Sequence, residues 1–84
     1  MQKHPPRNRE KRVQIIEYMI SFATEQGRQP PVREIGMAAG LQSTSTTAGY
    51  LKRMVNEGLL AKSEQARRNY SVTRYAAEQL RSAG

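Results

Sequence analysis

The sequence predicts a mostly helical domain carrying one small β-hairpin, and three features of its 84 residues predict it. Apolar residues recur at helical spacing in four stretches, each bounded by a Gly, Pro, Ser or Thr suited to a helix end. The second and third stretches are separated by Gly40 and two further residues, the spacing of a tight helix-turn-helix. Two β-prone runs, "LLAK" and "YSVT", flank the polar segment "SEQARRN". The resulting order is that of a winged helix-turn-helix: three helices, a two-stranded wing and a C-terminal helix.

The elements follow in chain order. Residues 1–7 are polar and basic, contain Pro5 and Pro6, and are expected to form a flexible arm ahead of a single domain over residues 8–84. Asn8 is expected to N-cap the first helix. Val13, Ile16, Met19, Ile20 and Ala23 share one face of it, and Gly27 is a suitable stop. Ile15 and Phe22 widen that face, so a further element is expected to pack there. Pro30 and Pro31 break the chain, and Pro31 can open a helix. Val32, Ile35, Met37 and Ala39 form a short second helix that Gly40 ends in a left-handed conformation. Ser43 can N-cap the third helix, expected over residues 44–57 and ending at Gly58. Thr47, Ala48, Leu51, Met54 and Val55 share its inner side; Ser45, Thr46, Gly49, Arg53 and Asn56 share the other. Thr73 can N-cap the last helix, whose Ala76 and Leu80 are expected to cover Ile15 and Phe22.

Composition excludes several function classes. Without Cys the chain has neither disulfides nor a cysteine-ligated zinc, and no run of about 18 apolar residues is present to span a membrane. The N-terminal "MQKHPPRNREKR" lacks the apolar core of a secretory signal, so a cytoplasmic, nucleoid-associated protein is expected. His4 stands alone in the arm, no carboxylate pair falls on one concave face, and no "GxxxxGK" phosphate loop occurs. Met19, Met37 and Met54 fit core positions, and Tyr18 points away from the apolar stripe. No enzyme activity, metal, cofactor or small-molecule ligand is expected. The net charge is +7, from 14 Lys and Arg against 7 Asp and Glu. Lys3, Arg7, Arg9, Lys11 and Arg12 crowd the first twelve residues, whereas residues 13–27 hold Glu17 and Glu25 and no base. Lys52, Arg53, Lys62, Arg67 and Arg68 gather in the second half. Segregated charge of this kind suits a polyanion.

The stretch "LQSTSTTAGYLK" sharpens that reading. Ser, Thr and Gly are poor residues with which to begin a helix. A recognition helix lays its N-terminal turns against base edges in the major groove, where short side chains with donors and acceptors permit close approach. Ser45, Thr46 and Gly49 fit that requirement. Ser43 and Thr44 lie where helix-end N–H groups can hold a phosphate. Tyr50, Lys52 and Arg53 on the same helix, and Arg67 and Arg68 in the wing, are expected to bind phosphates alongside Thr44. The competing reading is a capped helix whose Gly49 is an accident of packing.

The segment "PPVREIGMAAGLQSTSTTAGYLKRMVNEGLL" resembles the N-terminal DNA-binding domain of the LexA family of bacterial SOS-response repressors. The family pattern "PP(S/T)xxEIxxxxGxxSxxxxxxxLxxLxxxGxI" is met by Pro30, Glu34, Ile35, Gly40, Ser43, Leu51, Met54, Gly58 and Leu60. "STSTTAGYL" is similar to the Gram-positive recognition helix "SSSTVHGHL", with Tyr50 at a position often His. The resemblance covers about residues 9–72. It implies base-reading positions at Ser43, Ser45, Thr46, Ala48 and Gly49. Pro31 departs from the family, which has a Ser or Thr helix cap there. A helix follows residue 72 where the family has a linker. The latent protease domain, with its Ala-Gly cleavage site and its Ser and Lys pair, is expected to be missing. The implied function is sequence-specific binding of double-stranded DNA by a transcriptional repressor, open to a homodimer on a palindromic site. The rival readings are a winged-helix protein-interaction module and the DNA-binding part of a larger replication or repair protein.

Overall fold

The computed structural model describes residues 7–63 and 70–83. The expected arm up to residue 6 and the wing-tip arginines Arg67 and Arg68 lie outside the described residues. Within them the order is α1 (Arg7–Gln26), α2 (Val32–Ala38), α3 (Thr44–Asn56), β1 (Leu60–Lys62), β2 (Tyr70–Val72) and α4 (Arg74–Ala83). The two strands pair antiparallel, with Leu60 opposite Val72, Ala61 opposite Ser71 and Lys62 opposite Tyr70. The winged helix-turn-helix order of elements is therefore present among the described residues.

α1 begins at Arg7, so Asn8 lies inside its first turn and is not its N-cap. A helix can take up directly after a proline pair, because proline fixes a helical φ and the first turn needs no N–H partner. The expected stripe on α1 is also rotated. Ile15, Ile16 and Met19 are buried, whereas Ile20 is 36% exposed. Packing decided this: α2, β2 and α4 all meet α1, and the core they share takes in Ile15, Ile16 and Met19. Tyr18 lies half-buried against the core instead of pointing away from it, and its ring centroid is 5.9 Å from that of Phe22.

α2 has Pro31 as its N-cap, extended at φ −66° and ψ 153°, with no side-chain cap. The Pro31 carbonyl accepts from the N–H groups of Glu34 and Ile35 at 3.0 and 3.1 Å. Val32, Ile35, Gly36 and Ala39 turn inward. Met37 lies on the opposite side and is 69% exposed, so it is not a core residue. Gly40 follows the helix at φ 73°. Leu41 N–H donates to the Gly36 carbonyl at 2.8 Å and Gly40 N–H to Met37 at 3.1 Å, the paired closure that a left-handed glycine permits. The same closure recurs at Gly58, where Leu59 N–H reaches the Met54 carbonyl at 2.9 Å and Gly58 N–H reaches Val55 at 3.0 Å.

The core joins all the elements. Ile15, Met19, Ile35, Leu51, Met54 and Ala76 are fully buried, with Leu60 and Tyr70 of the hairpin sealing one side. α4 is set by Thr73, whose hydroxyl accepts from the Ala76 N–H at 3.1 Å and donates to the Gly58 carbonyl at 2.7 Å. One residue thus caps α4 and ties it to the turn after α3. Ala76 is buried as expected, but Leu80 is only half-buried. It borders a groove with Arg12, Val13, Ile16 and Leu59, so α4 lies along the Val13 and Ile16 side of α1, not over Ile15 and Phe22. α2 and β2 also pack on α1, and Phe22 meets Tyr18 and Arg28.

Candidate nucleic-acid interface

The helix-turn-helix pair meets at a glycine. A methyl placed on Gly36 would stand 2.3 Å from the Thr47 hydroxyl oxygen, so this glycine lets α2 and α3 approach. Thr47 is buried, and its hydroxyl donates to the Ser43 carbonyl at 3.0 Å, which satisfies its polar group inside the contact. Leu51 and Met54 continue that inner face. The opposite face of α3 is thereby fixed outward.

On that outer face the expected residues divide into three groups. Ser43 is the N-cap: its oxygen accepts from Thr46 N–H at 3.0 Å and it donates to the Thr46 hydroxyl oxygen at 2.9 Å. Ser43 and Thr46 are therefore a coupled pair, exposed but mutually oriented. Ser45 is exposed between them, one turn before Gly49. Gly49 is half-buried and has no neighbouring atom within 4 Å of where a Cβ would stand. No contact within the described residues requires glycine there, so packing among them does not explain it. Ala48 is exposed and not part of the inner face; with Thr44 it borders a cleft whose other walls are Val32, Arg33, Lys62 and Tyr70.

The expected phosphate-binding residues are also spread along α3. Lys52 and Arg53 are exposed, and the Arg53 guanidinium lies 5.8 Å from the centroid of the half-buried Tyr50 ring. That contact keeps the cation beside α3. Two bases of the N-terminal run have inward work instead. Lys11 Nζ donates to the Ala39 carbonyl at 2.7 Å and so closes the end of α2. Arg12 Nε donates to Glu57 Oε1 at 2.7 Å, one arm of a bidentate pair linking α1 to the end of α3. That hydrogen bond raises the Arg12 pKa and holds the Glu57 carboxyl below its ordinary range. Partial burial, followed by the nearby Glu34 carboxylate, raises the Tyr18 hydroxyl. The cationic N-terminal cluster read from the sequence is thus partly an internal brace.

Sequence reasoning passed over Gly36, Arg33 and the place of Lys62. Gly36 completes the spacing of Val32, Ile35 and Ala39 on the inner side of α2, a signal hidden because glycine adds no apolar weight. Arg33 lies next to that stripe and is exposed. Lys62 lies across the ladder from Tyr70, with its Nζ 5.6 Å from the ring centroid. Among the described residues no group of three or more His, Cys, Asp or Glu could hold a metal ion, and no helix is long and apolar enough to cross a membrane.

A family model described as the LexA DNA binding domain matches residues 2–69. The "LexA repressor" of Pediococcus pentosaceus is 39% identical over 70 residues, which is 83% of this chain and 34% of that protein. The "LexA repressor" of Clostridium perfringens is 45% identical over 53 residues, or 63% of this chain and 26% of that protein. The one from Oenococcus oeni is 40% identical over 63 residues, covering 75% and 30% respectively. The chain spans about a third or less of the length of these relatives, and α4 lies beyond the residues that the family model matches. With a match that runs from α1 through the helix-turn-helix and β1, the chain belongs to the family of LexA DNA-binding domains.

Proposed function

We propose that this protein binds double-stranded DNA in a sequence-specific manner and represses transcription by occupying an operator. The single observation that carries the reading is the outer face of α3. It presents Ser45 and Gly49 beside Lys52 and Arg53, and nothing within the described residues requires a glycine at position 49. Such a face suits the major groove, about 12 Å wide, in which a helix must come close to base edges. In this reading Ser43, Ser45, Thr46, Ala48 and Gly49 read bases. Thr44, Tyr50, Lys52 and Arg53 hold phosphates, with Arg67 and Arg68 joining them from the wing. The mutual hydrogen bond of Ser43 and Thr46 orients both hydroxyls before DNA arrives, and the Thr46 methyl is available to a thymine methyl.

Affinity comes from cation–phosphate pairing and choice of sequence from α3. The protein acts at the cytoplasmic nucleoid, has no catalytic step, and binds a palindromic operator as a homodimer. Selection of bound duplexes from a random pool, followed by titration of the selected duplex in rising salt, tests the reading. The expected result is an enriched sequence with two inverted half-sites and affinity that falls steeply with salt. Failure to bind any duplex at low salt would refute it.

A further inference from the structure

A helix with its side chains is about 10–12 Å across and nearly fills the major groove, so the two phosphodiester strands that bound the groove must lie along its flanks. The residues on each flank of α3 are therefore strand-facing, whatever bases its tip reads. One flank carries Tyr50 and Arg53, already placed in contact with each other. The other carries Thr44, with Ala48 between it and the base-facing tip, and it opens into the cleft formed with α2 and the hairpin.

That cleft has an ordered composition. Val32, Ala48 and Tyr70 supply apolar walls, Thr44 a hydroxyl, and Arg33 and Lys62 a cation each. The two cations come from different elements, the first turn of α2 and the end of β1, and both are exposed. Among the described residues no carboxylate lines the cleft. Among the described residues the Arg33 guanidinium has no hydrogen-bond or ion-pair partner, and Lys62 has only the Tyr70 ring beneath it. Two like charges converging on one cleft repel each other, and an anion between them relieves that repulsion.

We propose that this cleft seats one phosphodiester strand of the bound duplex, with Arg33 and Lys62 gripping it from the α2 and β1 sides. The proposal rests on the duplex-binding reading of α3 and assigns it two positioning residues. They set the register of α3 in the groove and read no base. Tyr70 fixes Lys62 through the face of its ring, so the grip is formed before DNA binds.

The test measures duplex affinity against salt for the full chain and for Arg33→Gln, Lys62→Gln and the double variant, on a selected duplex and on a random one. Arg81→Gln, an exposed arginine on α4, controls for loss of charge in general. Each single variant is expected to weaken both duplexes and lower the log–log salt slope by about 0.9, and the double variant by about twice that. Arg33→Lys and Lys62→Arg are expected to keep most of the slope, and thermal melts to stay unchanged because both side chains are exposed. A steep wild-type slope retained by the double variant would overturn the cleft and leave the reading of α3 standing. An equal fall in Arg81→Gln would also overturn it, because the effect would then be net charge. Loss confined to the selected duplex would make these residues base readers and not strand holders. A wild-type chain that binds neither duplex would refute the duplex-binding reading itself.

Discussion

At Gly36 a methyl group has nowhere to go. It would meet the Thr47 hydroxyl oxygen at 2.3 Å and the Thr47 Cβ at 3.3 Å, both on a short, buried side chain that cannot swing aside. Gly36→Ala is expected to cost about 1–3 kcal/mol by overpacking. Thr47→Ala in the same chain removes the clashing oxygen and should recover part of that cost, a coupling that urea unfolding of the four proteins measures. Additive effects would mean that α2 and α3 separate freely. Gly49 makes the opposite case. With no atom near its Cβ position, Gly49→Ala should stabilise the free protein by up to about 1 kcal/mol, because alanine is the better helix former. The same methyl stands where DNA is proposed to approach, so operator affinity should fall. Stabilisation with unchanged affinity would end the close-approach idea. Thr46→Ala should cost about 1–3 kcal/mol on the preferred duplex and little on random DNA. Equal losses on both would make Thr46 a phosphate contact.

Between elements, polar contacts do work that the apolar core leaves undone. The Arg12–Glu57 pair joins α1 to the C-terminal end of α3, and it holds the Glu57 carboxyl below its unfolded value, about 4.3. A depressed carboxyl stabilises the fold above the unfolded value, and the contribution disappears as pH falls through the depressed one. Unfolding free energy should therefore drop in that acid window, and Glu57→Gln should flatten the drop. Since the Glu57 side chain is 41% exposed, solvent screening limits the effect to no more than about 1 kcal/mol. An unchanged acid limb in the variant would show that the pair is energetically idle. Thr73 serves α4 in a comparable way. Thr73→Val keeps the β-branched shape but removes the cap and the bond to the Gly58 carbonyl, for an expected loss of about 1–2 kcal/mol. Amide exchange should quicken first in α4 if the cap is what anchors that helix.

For the whole molecule, charge matters by where it lies more than by its sum of +7. Lys11 and Arg12 are turned to internal bonds, while Arg33, Lys52, Arg53 and Lys62 stay exposed on α2, α3 and β1. Arg67 and Arg68 occupy the segment between the strands. Replacing both with Ala should weaken binding to every duplex alike and lower the log–log salt slope by about 2. An unchanged slope would place the wing off the DNA.

The helices, the hairpin and their order were legible because each carries a local signal. Periodicity marks α1 and α3, Gly40 and Gly58 mark two closures, Ser43 and Thr73 mark two caps, and β-prone runs mark the strands. The LexA likeness was legible for the same reason, since its pattern is largely these local signals at fixed spacing. What the sequence by itself determined is thus the list of elements and the outward residues of α3 other than Ala48, which the helix wheel put inside and the structure exposes. Only the tertiary structure decided which sector of α1 each partner covers, that Met37 faces out, that Gly36 is the point of helix contact, and that Arg33 and Lys62 share a cleft. These depend on contacts between residues far apart in the chain, and a helix wheel gives the width of an apolar face without saying which neighbour will occupy which part of it.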